Sequence, residues 1–172
     1  VDVSGHGVAS ALMTARIASY LSDAAPDRNI ALKKTTGGYE MRPVEDVCAK
    51  LNMLLQSDAD SDQYLTMALG KLGLKSGICE MCQAGHPFPV VQRADGSVEF
   101  IELEGTPIGL IDDPEFSTAS VTLDVGDRLI FHSDGLTECS DPEGNLLEEE
   151  GLARILRDKH GLHGLVLFEE IV

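Results

Sequence analysis

Apolar residues recur at helical spacing near the start of the chain and at strand spacing through much of its remainder. Residues 8–22, VASALMTARIASYLS, hold neither glycine nor proline. They set Val8, Leu12 and Ala15 on one line and Ala9, Met13, Ile17, Tyr20 and Leu21 on another. That spacing predicts a helix with a wide apolar arc, covered on more than one side. Residues 23–42 lose the period and contain a proline and a Gly-Gly pair, so a mobile connection is expected there. A second helix is predicted from about Pro43 to Gln56. Proline suits a first turn, and Val44, Val47, Leu51, Leu54 and Leu55 keep one face apolar until SDADSD, residues 57–62, ends it.

After Gln63 short apolar runs alternate with turn residues: YLTMALGKLGL, GICEMCQAG, FPVVQRADGSVEFIEL and ASVTLDVGDRLIFHSDG. These read as strands and hairpins, with an Asp-Gly turn within residues 94–97 and another turn at 124–127. A last helix is expected from about Glu148 to Lys159, entered through acidic residues and ended near Gly161. Two helices followed by a block of strands predict an α+β fold with antiparallel sheet and helices on its outer faces.

Composition narrows the classes. The chain has 172 residues, 43% apolar and 24% charged, enough for a sizeable core in one domain. Its net charge of −16, from 29 acidic and 13 basic residues, argues against nucleic acid or an anionic membrane as partner. Cysteines at 48, 79, 82 and 139 lack disulfide-framework spacing, and no apolar run can span a bilayer. A soluble cytoplasmic protein with reduced thiols is expected.

Two aspartates stand where an apolar strand runs into glycine-bearing backbone. Asp2 precedes Val3-Ser4-Gly5, and Asp134 follows RLIFHS and precedes Gly135. Carboxylates at strand ends suit a hard cation with oxygen ligands, magnesium or manganese rather than zinc. Initiation of a turn is the competing role for each.

The segments DVSGHGVASALMTA, YLTMALGKLGL, QAGHPFPVV, GTPIGL and LDVGDRLIFHSDGLTECSDPEGN occur in the order and near the spacing of a known family. In them the chain resembles the bacterial PPM-type (PP2C-like) serine phosphatases of the RsbU/SpoIIE branch over essentially its whole length. The resemblance implies an antiparallel β-sandwich flanked by helices. It also implies hydrolysis of phosphoserine or phosphothreonine on a partner protein, with two Mn2+ or Mg2+ ions activating a water for in-line attack.

Asp2 then matches the aspartate that bridges both ions, the Val3 carbonyl the next ligand, and Asp134 a ligand of the second ion. An earlier Gly-Asp motif and a late Asp-Asp motif of the family are not found in these residues. The chain is therefore expected to be one phosphatase domain, partial at both ends and lacking the family's first and last strands. The implied partners are a phosphorylated anti-anti-sigma protein of STAS type and an upstream sensor or receiver domain. A second copy is a further candidate, with Ile17, Tyr20 or Leu21 of the first helix at the interface. A noncatalytic regulatory relative that keeps the fold is the alternative.

No general acid is assigned. Family members of eukaryotic type place a histidine two residues after the bridging aspartate, where this chain has Ser4. His6 reads as a turn residue, His132 as a core or supporting group within a strand, and His86 in QAGHPFP as structural. Cys79, Cys82 and His86 give an incomplete zinc set, and GHGVAS lacks the Gly-Lys-Ser/Thr ending of a phosphate-binding loop.

Overall fold

A computed structural model of the protein describes residues 1–57, 63–162 and 164–171. In chain order the elements are β1 (Asp2–Val3), α1 (Val8–Tyr20), β2 (Leu32–Thr35), β3 (Gly38–Met41) and α2 (Val44–Gln56). They continue with β4 (Leu65–Leu72), β5 (Ile78–Ala84), β6 (Val90–Gln92), β7 (Val98–Phe100), β8 (Thr118–Thr122) and β9 (Arg128–Ile130). Three helices close the series: α3 (Asp134–Thr137), α4 (Glu148–Asp158) and α5 (Leu165–Ile171). The expected α+β class, with antiparallel pairing and helices, is borne out.

Two compact units divide the chain. The first comprises Val1–Lys71, Glu80–His86 and Leu103–Ser120, and the second Leu72–Cys79, Pro87–Glu102 and Val121–Val172. A four-stranded sheet runs in the order β1-β4-β5-β8. Within the first unit, Leu65, Met67, Cys82 and Ala84 share one buried cluster with Met13 and Ile17 of α1 and Val44, Val47, Cys48, Leu51 and Leu55 of α2. Removing water from these side chains is the main stabilising term.

The α2 helix starts and ends as its pattern predicts. Residues 58–62, the greater part of the stretch expected to end it, lie outside the described residues. Two polar residues of α2 hold the loop that follows Pro107. Asn52 accepts from the Gly109 N–H at 2.7 Å and donates to the Ile111 carbonyl at 3.0 Å, and Gln56 donates to the Gly109 carbonyl at 2.8 Å.

Two expectations in this unit are corrected. Within this chain α1 buries the stripe of Met13 and Ile17, so Ile17 is 3% exposed while Val8 and Leu12 are 76% and 66% exposed. Ile17 therefore belongs to the core and is not free to meet a second copy. Tyr20 and Leu21 also pack against that core.

The segment 23–42 is built, not a loose connection. Strands β2 and β3 form a hairpin that pairs Thr35 with Gly38 and leaves Thr36 and Gly37 as the loop. Asn29 ties its base, donating to the carbonyls of Leu21 and Ser22 and accepting from the Ala31 N–H. The Tyr39 hydroxyl donates to Asp27 at 2.7 Å.

In the second unit β6 pairs antiparallel with both β7 and β9. The predicted turns are present: the Gly96 N–H donates to the Arg93 carbonyl and the Asp127 N–H to the Asp124 carbonyl. Val90 clusters with Leu152 and Leu156 of α4. Buried Gln92 is satisfied by the Leu156 carbonyl and by Arg128, whose guanidinium also donates to the carbonyls of His160 and Leu162 beyond α4. Helices α3 and α5 were not foreseen in the sequence.

Candidate functional site

Asp2 and Val3 owe their orientation to a two-residue ladder. Among the described strands β1 stands at one end of its sheet, and it pairs Asp2 with Thr66 and Val3 with Leu65. Leu65 directs its N–H and carbonyl to Ile108, at 2.9 and 2.8 Å. Val3 and Leu65 are thus a non-hydrogen-bonded pair, and the Val3 carbonyl points away from β4. The Val3 side chain packs on the core, so the alternation of the strand turns the Asp2 carboxylate to the opposite face, where it is exposed.

The backbone after this pair is fixed by glycine and serine. Gly5 and Gly7 adopt φ of 79° and 86°, a left-handed region that side chains with a Cβ disfavour. The Ser4 N–H donates to the Tyr64 carbonyl, the Ser4 hydroxyl accepts from the Tyr64 N–H, and the Ser10 hydroxyl donates to the Ser4 carbonyl. His6 is exposed at the tip of this loop.

His86 follows β5 and is buried, 6% exposed. Its Nδ1 is hydrogen-bonded to the Thr66 hydroxyl at 2.8 Å. Its carbonyl accepts from the Gln83 amide. Gly85 has φ of 67°, and a Cβ there would meet Pro107 at 2.7 Å, so the bend that presents His86 needs glycine. The residues of this constellation, Asp2, Thr66, Gly85 and His86, all belong to the first unit.

Asp134 lies in the second unit as the first residue of α3. One carboxylate oxygen, Oδ1, accepts from the Gly135 N–H at 2.7 Å, and the side chain is exposed. The preceding strand stops at Ile130, so His132 sits in irregular backbone rather than in a strand, a correction to its predicted setting. Its Nδ1 lies 3.1 Å from the Ser133 carbonyl oxygen, and its buried Nε2 has no hydrogen-bond partner among the described residues.

These donors fit a hard divalent cation in kind. The Asp2 carboxylate makes no hydrogen bond or ion pair among the described residues, the Val3 carbonyl faces away from β4, and Asp134 commits only one oxygen. Among the described residues, no three His, Cys, Asp or Glu side chains gather at metal-binding range. Cys82, one member of the incomplete zinc set, is packed in the core of the first unit.

The expected structural role of His86 agrees with its burial and its bond to Thr66. Its partner Thr66, twenty residues away, carries no local mark.

Comparison with known proteins adds the family. Over 138 residues the chain is 26% identical to the phosphoserine phosphatase RsbP of Bacillus subtilis, covering 80% of this chain and 32% of that protein. Over 158 residues it is 25% identical to the phosphoserine phosphatase RsbU of the same organism, covering 91% and 43%. The chain thus spans less than half the length of these relatives.

Among solved structures, that of the RsbU and RsbW domains of Rv1364c from Mycobacterium tuberculosis aligns with a TM-score of 0.68 at 26% identity, over 99% of this chain and 43% of that one. The SiaA-PP2C domain of Pseudomonas aeruginosa shares the fold, with a TM-score of 0.72 at 18% identity over 98% of this chain and 62% of that one. The family model for stage II sporulation protein E (SpoIIE) matches residues 1–172, and the chain belongs to that family.

Proposed function

We propose that residues 1–172 are part of the catalytic domain of a metal-dependent protein serine/threonine phosphatase that hydrolyses phosphoserine on a regulatory partner in bacterial signalling. The observation that carries this reading is the match of the whole chain to the SpoIIE family, alongside two relatives named as phosphoserine phosphatases.

Bound Mn2+ or Mg2+ supplies charge neutralisation at the phosphate oxygens and activation of the attacking water. Within the chain, Asp2 offers an exposed carboxylate that makes no ion pair among the described residues. Val3 offers a neutral carbonyl directed away from β4. Asp134 offers the oxygen that Gly135 does not hold. Direct attack by water requires no nucleophilic side chain.

The finer reading takes the substrate as a phosphorylated anti-anti-sigma protein of STAS type, with the phosphatase controlled by a sensor or receiver domain and acting in the cytoplasm. Among the described residues no helix is long and apolar enough to cross a membrane. The competing reading, a noncatalytic binding module, draws on the lack of a three-ligand cluster among the described residues. Phosphate release from a phosphoserine protein by the full-length protein separates the two. Release that requires Mn2+ or Mg2+ and stops with excess chelator supports the phosphatase; release unaffected by chelator, or none under any metal, removes it.

A further inference from the structure

The polar link from His86 to the strand opposite Asp2 has no part in the function so far assigned. A buried histidine must place its ring nitrogens on partners, because a polar group taken out of water without a hydrogen bond is destabilising. His86 places Nδ1 on the Thr66 hydroxyl, 2.8 Å away. The strand end that carries it is held from two sides. The Gln83 amide donates to the His86 carbonyl, and a Cβ at Gly105 would lie 1.8 Å from the Gln83 carbonyl oxygen, so the backbones at 83 and 105 are in close contact.

Thr66 is the direct cross-strand partner of Asp2. Hydrogen-bonded and non-hydrogen-bonded pairs alternate along an antiparallel ladder, so Asp2 and Thr66 form the hydrogen-bonded pair next to the non-hydrogen-bonded Val3–Leu65 pair. Residues paired directly across a ladder project to the same face, with Cβ atoms about 5 Å apart. The Thr66 side chain is therefore the nearest neighbour of the Asp2 carboxylate on β4, and its hydroxyl is fixed by His86. A β-branched side chain has few χ1 states, so fixing the hydroxyl fixes the whole Thr66 side chain.

We propose that His86 is a positioning residue for divalent-cation binding: by holding Thr66 in one rotamer, it fixes the surface against which the Asp2 carboxylate is oriented. The proposal rests on Asp2 being a metal ligand, as in the function proposed above. Hydrogen-bonded partners of a metal ligand usually change metal affinity by about 10- to 100-fold when removed, and Thr66, a neighbour of Asp2 and not a hydrogen-bond partner, is placed at the lower end of that range. A histidine kept only for core packing would change stability and leave affinity alone.

The test is calorimetric titration of the full-length protein with Mn2+, with the thermal midpoint of each metal-free variant measured alongside. Thr66→Val removes the hydroxyl at nearly constant shape. It is expected to weaken Mn2+ binding about tenfold, while Thr66→Ser keeps near-parental affinity. His86→Asn in the Thr66→Val background should weaken binding no further, because both changes break one link. If Asp2→Asn abolishes binding while Thr66→Val binds Mn2+ as the parent does, the positioning role is overturned and the metal assignment stands. If Asp2→Asn also binds as the parent does, the assignment of Asp2 fails and the positioning role with it. Should His86→Asn not fold, the Thr66 pair of variants decides the question alone.

Discussion

Val3 faces Leu65 across the β1–β4 ladder as a non-hydrogen-bonded pair, because Leu65 directs both of its backbone polar groups to Ile108. The consequence is chemical: a backbone carbonyl beside an exposed aspartate is turned away from β4, where it can serve a cation. The loop that contributes Ile108 is itself held by Asn52 and Gln56 of α2. Core packing, helix polarity and carbonyl direction are thus linked within one unit.

The one-sided burial of α1 predicts opposite outcomes for two similar substitutions. Ile17→Glu puts a carboxylate into the core beside Met13 and should cost about 3 kcal/mol or more of stability. Leu12→Glu, on the exposed side, should stay within about 0.5 kcal/mol of the parent. Urea unfolding of the two variants checks this, and equal destabilisation would contradict the observed seating of the helix.

Gly105 predicts a severe backbone effect. A Cβ at this position would lie 1.8 Å from the Gln83 carbonyl oxygen, a distance that no side-chain rearrangement relieves. Gly105→Ala should therefore lower the thermal midpoint by many degrees. Gly144→Ala is the control: its φ is positive, but a Cβ there meets nothing within 4 Å, so the loss should be modest.

The second unit predicts a pH dependence. The Arg93 guanidinium foremost, then the Asp124 N–H, hold the Asp127 carboxyl below the usual aspartate range. A depressed native pKa gives stability that is complete above the unfolded value of about 3.9 and is lost as pH falls through the lower native value. Thermal midpoints of the parent and of Asp127→Asn should differ at pH 6 and converge as pH approaches about 2. A difference that widens on acidification would reverse the assigned sign.

Metal binding by the chain alone should be weak. With no three-ligand cluster among the described residues, residues 1–172 should bind Mn2+ with low affinity and show little phosphatase activity. Calorimetric titration checks it, and tight binding of two ions would mean that other ligands have been overlooked.

Legibility followed local signals. The α2 helix could be read because Val44, Val47, Leu51 and Leu55 recur at one period on one buried face. The β2–β3 hairpin could not, because residues on both its faces are largely exposed and no apolar alternation marks it. Of the apolar residues along α1, the chain itself buries Met13 and Ile17, and periodicity alone does not tell which side of a wide apolar arc meets the core. At the site, glycine-flanked aspartates were visible as a pattern. The Thr66–His86 bond and the direction of the Val3 carbonyl depend on strand register, which no local composition encodes.

The measurement that bears most directly on the proposed function is the rate of phosphate release from a phosphoserine protein by the full-length protein, with Mn2+ present, for the parent, Asp2→Asn and Asp134→Asn. Replacing either carboxylate by a neutral amide removes an anionic ligand and should lower turnover at least 100-fold, on the order expected for loss of metal-based charge stabilisation. Circular dichroism should show both variants folded, since both side chains are exposed. Parental turnover in both folded variants would contradict the assignment of these aspartates and the metal-dependent mechanism built on them.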